Sequence, residues 1–141
     1  MEQIKLKLKL TGQYETVAPH AQVTLNDNVI FDAIVDGTSV IVHSATLENE
    51  SVNKLKITLL DKKDEHTEID EQGNILKDSQ LTIEECTIED VDLIPNFSLI
   101  QEKFYYEHSG SKHQLYNTLG INGSAVIEFD TPFYVWLLEN I

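Results

Sequence analysis

The run Ile4-Lys5-Leu6-Lys7-Leu8-Lys9-Leu10 alternates apolar and charged side chains with a period of two. Successive side chains of an extended chain point to opposite faces, so this run buries one face only as a strand, with its lysines in water. A lysine row also discourages stray pairing with other sheets. The same period returns where Leu55, Ile57 and Leu59 alternate with Lys54, Lys56 and Thr58. Residues 21–25 and 29–35 form two short apolar stretches about the turn Asn26-Asp27-Asn28, and Asp36-Gly37 is a hairpin signal leading into residues 39–47. Residues 61–78 are a polar excursion with a small hairpin at Glu71-Gln72-Gly73-Asn74. Beyond it, Leu81, Ile83, Cys86, Ile88, Val91 and Leu93 keep a spacing of two that slips twice to three. That pattern fits a strand with bulges, or one crossing from sheet to sheet. Residues 103–107 and 114–118 flank Ser109-Gly110-Ser111-Lys112 as a hairpin, and residues 124–129 and 132–138 make another. About ten short strands follow, and no helix. The expected fold is all-β: a two-layer antiparallel β-sandwich, most simply a jelly roll, forming one domain over 1–141.

Composition narrows the function. The chain has 24 acidic residues and 10 basic ones, a net charge of −14, and every basic residue is Lys. Without a basic footprint or an Arg fork for phosphate, nucleic acid is excluded as the expected ligand. No window approaches the run of about 18 apolar residues that a membrane helix needs, so membrane insertion is not expected. The amino terminus lacks the continuous apolar block of a secretory signal, which points to synthesis in the cytoplasm. The lone Cys86 excludes an internal disulfide and a cysteine metal cage. There is no G-x-S-x-G, H-E-x-x-H, phosphate loop or G-x-G-x-x-G, and no histidine stands in a recognisable relay, so an enzyme is not expected.

Three places remain for binding. Asp61, Asp64, Asp70 and Asp78 in the polar excursion could supply part of the oxygen cage that calcium requires, or they are a solvated loop that keeps an acidic protein soluble. An EF-hand register starting at Glu68 fails, because Ser79 stands where the bidentate Glu belongs. Second, a turn centred on Gly110-Ser111 places Tyr105 opposite Tyr116 and Glu107 opposite Gln114. Two rings beside a carboxylate and an amide suit a sugar, whose apolar face stacks while its hydroxyls find polar partners. An ordinary cross-strand Tyr pair, or a subunit contact, is the alternative. His108 and His113 on the opposite face make at most half a metal site. Third, Phe133, Tyr134, Val135, Trp136, Leu137 and Leu138 make a terminal strand apolar on both faces, expected either beneath its own chain or at a subunit interface, with Phe133, Tyr134, Val135, Trp136 and Leu138 as the docking residues.

Pro19, Val23-Thr24-Leu25-Asn26-Asp27, Leu55-Lys56-Ile57-Thr58-Leu59-Leu60-Asp61 and Asp78-Ser79-Gln80-Leu81 together resemble the small calcium-dependent carbohydrate-binding modules of the xylan-binding type. The resemblance spans residues 19–93 and implies a jelly-roll sandwich, a calcium cofactor with Asp61 and Asp78 as the leading ligands, and a glycan partner. This chain has Lys62 where that family tends to carry an acid or amide, and Ser79 where it tends to carry a base. A small, acidic, Arg-free chain is also similar to accessory virion proteins of tailed bacteriophages, made in the host cytoplasm and carried on capsid, baseplate or tail. The leading expectation is therefore a non-enzymatic virion module that docks on protein subunits or on itself. The alternative is a calcium-assisted carbohydrate-binding module that reads glycans through Tyr105, Glu107, Gln114 and Tyr116.

Overall fold

The alternating amino-terminal run becomes β1 (Glu2–Tyr14) of a computed structural model that describes residues 1–15, 17–63 and 67–141. Ile4, Leu6, Leu8 and Leu10 are buried while Lys5, Lys7 and Lys9 stay exposed. Each fully buried Leu or Ile stabilises the fold by about 1.5–3 kcal/mol relative to exposure. The chain continues through β2 (His20–Leu25), β3 (Asn28–Ile34), β4 (Thr38–Leu47), β5 (Val52–Leu60), β6 (Glu68–Ile69), β7 (Ile75–Lys77), β8 (Ser79–Ile88) and β9 (Val91–Asp92). A 3-10 turn at Ile94–Asn96 leads to β10 (Phe104–His108), β11 (Ser111–Gln114), β12 (Thr118–Leu119), β13 (Gly123–Asp130) and a closing helix, α1 (Phe133–Asn140).

The strands form a two-layer antiparallel β-sandwich. One sheet runs β12-β8-β1-β4 with β9 paired to β8, the other runs β11-β10-β13-β5-β2-β3, and β6-β7 is a separate small hairpin. Between the layers lie Leu6, Leu8, Leu10, Val23, Leu55, Ile57, Leu59, Ile83, Ile88, Ala125, Ile127 and Phe129. The chain changes sheet repeatedly, as the jelly-roll expectation requires: β1 in one, β2 and β3 in the other, β4 back beside β1, and β5 beside β2.

Turn chemistry closes the hairpins. Asn26 and Asp27 hold φ of 50° and 68°, Glu89 and Asp90 hold 48° and 67°, and Ser109 and Gly110 hold 50° and 77°. Two successive left-handed residues make the turn whose twist suits a two-residue hairpin.

Four sequence expectations are corrected. Asp36-Gly37 does not close a hairpin: β3 pairs with β2, β4 pairs with β1, and the turn carries the chain between layers. Val35 is the pivot, fully buried with its amide donated to the Pro19 carbonyl at 2.8 Å. Of the two phase slips after Leu81, the first is a bulge opposite Lys9 and Leu10, but the second is the Glu89-Asp90 turn that folds β9 back on β8. The β10-β11 register is displaced by two residues, so Tyr105 faces Gln114, Glu107 faces Lys112 and Tyr116 lies beyond the strand.

The final apolar segment is helix α1, not a strand. Phe133, Trp136 and Leu137 are buried, at the three- and four-residue spacing of one helical face. A short apolar run contains both periods, and packing against the far end of the sandwich selects this one. Trp136 meets Phe104 and Phe129 at ring-centroid distances of 6.0 and 6.5 Å, and Phe133 meets Phe129 edge-on at 5.9 Å. The Glu2 carboxylate accepts the Phe133 amide at 3.2 Å, a favourable place for negative charge at the first turn of a helix.

Candidate functional site

The hairpin β10-β11 places Tyr106, His108 and His113 on one face and Tyr105, Glu107, Lys112 and Gln114 on the other. This grouping by face matches the sequence reading even though the register does not, because a shift of two residues preserves the face. The consequence for Tyr105 is nevertheless large. Its ring is 4% exposed, capped by the Lys112 ammonium 4.3 Å from the ring centre, with its hydroxyl 3.4 Å from Glu128. Burial and the Glu128 and Glu107 charges raise its phenol above the ordinary value. A covered ring offers no stacking surface, so the expected Tyr105–Tyr116 platform does not form.

Tyr116 is 63% exposed and lines a hollow of about 400 Å³ on the other side of the hairpin. Its walls are Tyr106, His108, His113, Gln114, Thr118, Leu119, Gly120 and Ile121. Tyr106 supports the floor: its ring is buried, its hydroxyl donates to the Ile121 carbonyl, and burial pushes its phenol up to about 12. Gly123 leaves room for that ring, since a Cβ there would stand 2.6 Å from the Tyr106 oxygen and from the Glu107 carbonyl. His108 is oriented by its Nδ1 contact of 2.6 Å to the Asn122 carbonyl. A second hollow of about 400 Å³ shares His108, Gly120 and Ile121 with the first and continues to Asn122, Thr67, Ile69, Lys62 and Lys63. Together they make a groove with exposed apolar groups, Tyr116 and Ile121, flanked by imidazole, amide and hydroxyl groups.

The acids of the polar excursion are engaged separately. Asp78 accepts hydrogen bonds from Lys62 Nζ at 2.6 Å, Thr67 Oγ1 at 2.7 Å, the Ser79 amide at 2.8 Å and Gln80 Nε2 at 3.1 Å. Burial works to raise its carboxyl pKa, but the bonds from Lys62, Thr67 and Ser79 prevail and hold it below the usual carboxylate range. The same ammonium donates to the Gly120 carbonyl, and Asn122 brackets the Lys62 backbone at 2.9 and 2.7 Å. Lys62 thus ties the end of β5, the start of β8 and the Gly120–Asn122 loop into one knot. Asp70 closes its own turn, accepting the Gln72 and Asn74 amides at 2.9 and 2.8 Å. Asp61 contacts His20 Nδ1 at 2.8 Å. Asp64 lies outside the described residues.

A calcium ion needs several free oxygens converging on one point. Among the described residues no three of His, Cys, Asp and Glu group to hold a metal, and the cation at Asp78 is the Lys62 ammonium. Among the described residues, the acids as they stand do not fit the ion.

Sequence reasoning missed His20, which bridges Asp32 through Nε2 and Asp61 through Nδ1. The partners lie 12 and 41 residues away, so no local spacing signals the cluster. Of the docking residues, Phe133 and Trp136 belong to the core, while Tyr134, Val135 and Leu138 are 52%, 53% and 75% exposed. The premise of a strand apolar on both faces therefore gives way to a helix with one buried side. Cys86 is fully buried, and burial raises its thiol far above the reactive range.

No family model matches the chain, and no curated protein does. Two solved structures are similar in outline. One is vCBM60 in complex with galactobiose, 6% identical with a TM-score of 0.49, covering 87% of this chain and 96% of that one. The other is the selenomethionine form of vCBM60, from work on circular permutation as an evolutionary link between two families of calcium-dependent carbohydrate binding modules. It is 5% identical with a TM-score of 0.49, covering 88% of this chain and 89% of that one.

Proposed function

We propose that this sandwich is a non-catalytic carbohydrate-binding module whose glycan lies in the groove beside the β10-β11 hairpin, with Tyr116 as its stacking platform. One observation carries the reading: an exposed aromatic ring stands at the mouth of an apolar hollow rimmed by His108, His113 and Gln114. A sugar needs that pairing, a ring for its C–H face and directional donors and acceptors for its hydroxyls. None of the described residues lining the two hollows is Asp or Glu, which leaves a glycosidic bond there without acid or nucleophile. Because Lys62 already supplies the cation at Asp78, binding proceeds without calcium.

A glycan array on the full chain, followed by calorimetry on the strongest ligand, tests this. Tyr116→Ala should cost about 0.5–1.5 kcal/mol, roughly a three- to tenfold weaker Kd. Tyr105→Phe should leave affinity unchanged, and so should removal of calcium by chelation. A chain that gives no signal on the array, or whose binding ignores Tyr116→Ala, does not use this groove for glycans.

A further inference from the structure

We infer that the free edge of β4 pairs with the β4 of a second copy of this chain, antiparallel about a two-fold axis at Ile41, joining two sandwiches through one continuous sheet. The inference is independent of the groove. Among the described residues five strands form the edges of the two large sheets: β12 and β9 beside β8, then β4, β11 and β3. Exposed edges are normally blunted by shortness, charge or irregularity, since an open ladder of amides and carbonyls invites further pairing. Four edges follow that practice. β12 and β9 have two residues each, β11 has four and carries Lys112, and β3 carries Asp32 and a break in register against β2.

β4 does not. It is ten residues long and pairs with β1 in unbroken register from Glu2↔Leu47 to Thr11↔Thr38. Thr38–Leu47 contains no Lys, Asp, Glu or Pro, in a chain of which 24% is charged. Val40 and Val42 are 57% and 59% exposed on its outer face, beside the lysine row of β1.

The occupant follows from the order of residues in the strand. Ile41 is flanked by Val40 and Val42, then by polar Ser39 and His43, then by Thr38 and Ser44. Antiparallel pairing centred on Ile41 sets Val40 against the partner's Val42, Ser39 against the partner's His43, and Thr38 against the partner's Ser44. Apolar meets apolar and polar meets polar without a mismatch, and β-branched pairs are among the favoured cross-strand contacts. Charge permits the approach. The chain carries −14, but the strand nearest the seam exposes Lys5, Lys7 and Lys9, which oppose that repulsion where the copies meet. The lysine rows of the two copies would lie three strand spacings apart, about 14 Å, beyond the screening length of about 8 Å at physiological salt.

Sedimentation equilibrium on the full chain, from micromolar to sub-millimolar concentration at physiological and at raised salt, reads the result. The expected mass is twice the 16.0 kDa of one chain, with tighter association at raised salt. Val42→Lys and Val40→Lys, both on the solvent face, should each weaken the dimer at least tenfold while circular dichroism stays that of the wild type. Leu138→Lys on the exposed side of α1 should leave it intact. A monomer across the whole range, a dimer that survives both valine variants, or one that Leu138→Lys dissolves would overturn the inference.

Discussion

His20 stands between two carboxylates, with Nε2 on Asp32 and Nδ1 on Asp61. The bond to Asp32 is the larger cause and that to Asp61 the next, and together they raise its pKa above the ordinary value of 6.5. Folded protein therefore holds this proton at pH values where unfolded chain has released it. The stabilisation is complete below 6.5 and is lost as pH rises through the folded value. Thermal melts of wild type and His20→Gln across that range should differ most on the acid side and converge in alkali. Asp32, with its pKa lowered chiefly by the same bond, contributes oppositely: its share is lost as the solution is acidified below the ordinary carboxyl range. Lys62 gives a second residue-scale prediction. Its ammonium and the Asp78 carboxylate are only 10% and 17% exposed, so Lys62→Met leaves a largely desolvated charge and an unpaired Gly120 carbonyl. Urea denaturation should show a loss of about 2–4 kcal/mol. Neither residue stands out in the sequence. A histidine between Pro19 and Ala21 and a lysine in an acidic stretch carry no local sign of a partner until remote strands bring them to their carboxylates.

Helix α1 is the element where local pattern and tertiary packing part. Phe133 to Leu138 is apolar at every position, so strand and helix each find a buried face in it. The choice falls to the space left at the end of the sandwich, where Phe104 and Phe129 receive Trp136 and Phe133. Trp136→Ala should cost about 3–5 kcal/mol in chemical denaturation. Leu138→Lys, at 75% exposure, should fall within about 0.5 kcal/mol of wild type. The β10-β11 hairpin shows the reverse balance. Its faces were legible because side-chain parity survives a shift of two, whereas its register depends on Ser109 and Gly110 both taking positive φ, which shortens the loop. That shift separates Tyr105 from Tyr116 and moves the candidate platform from a pair of rings to one. Gly123→Ala, which drives a methyl against Tyr106, should deform the groove floor and weaken glycan binding while leaving the β4 edge unaffected.

For the whole molecule the dominant quantity is charge. A net −14 on a small sandwich is self-repelling, so the unfolding midpoint should rise with added sodium chloride as repulsion is screened. Solubility should pass through a minimum near the sequence pI of 4.5, read by turbidity against pH. Alternation of apolar and polar residues was enough to establish the two antiparallel layers, their buried faces in β1 and β5, and most strand positions. Each of those properties is local, because the side-chain period of a strand belongs to the strand alone. Which strands become neighbours, that β3 and β4 part at Val35, that the last apolar run coils, and that Lys62 and His20 acquire their carboxylates were decided only by the folded chain. Those outcomes depend on contacts between residues tens of positions apart, and on how much space the packed layers leave, neither of which is written in any single stretch of sequence.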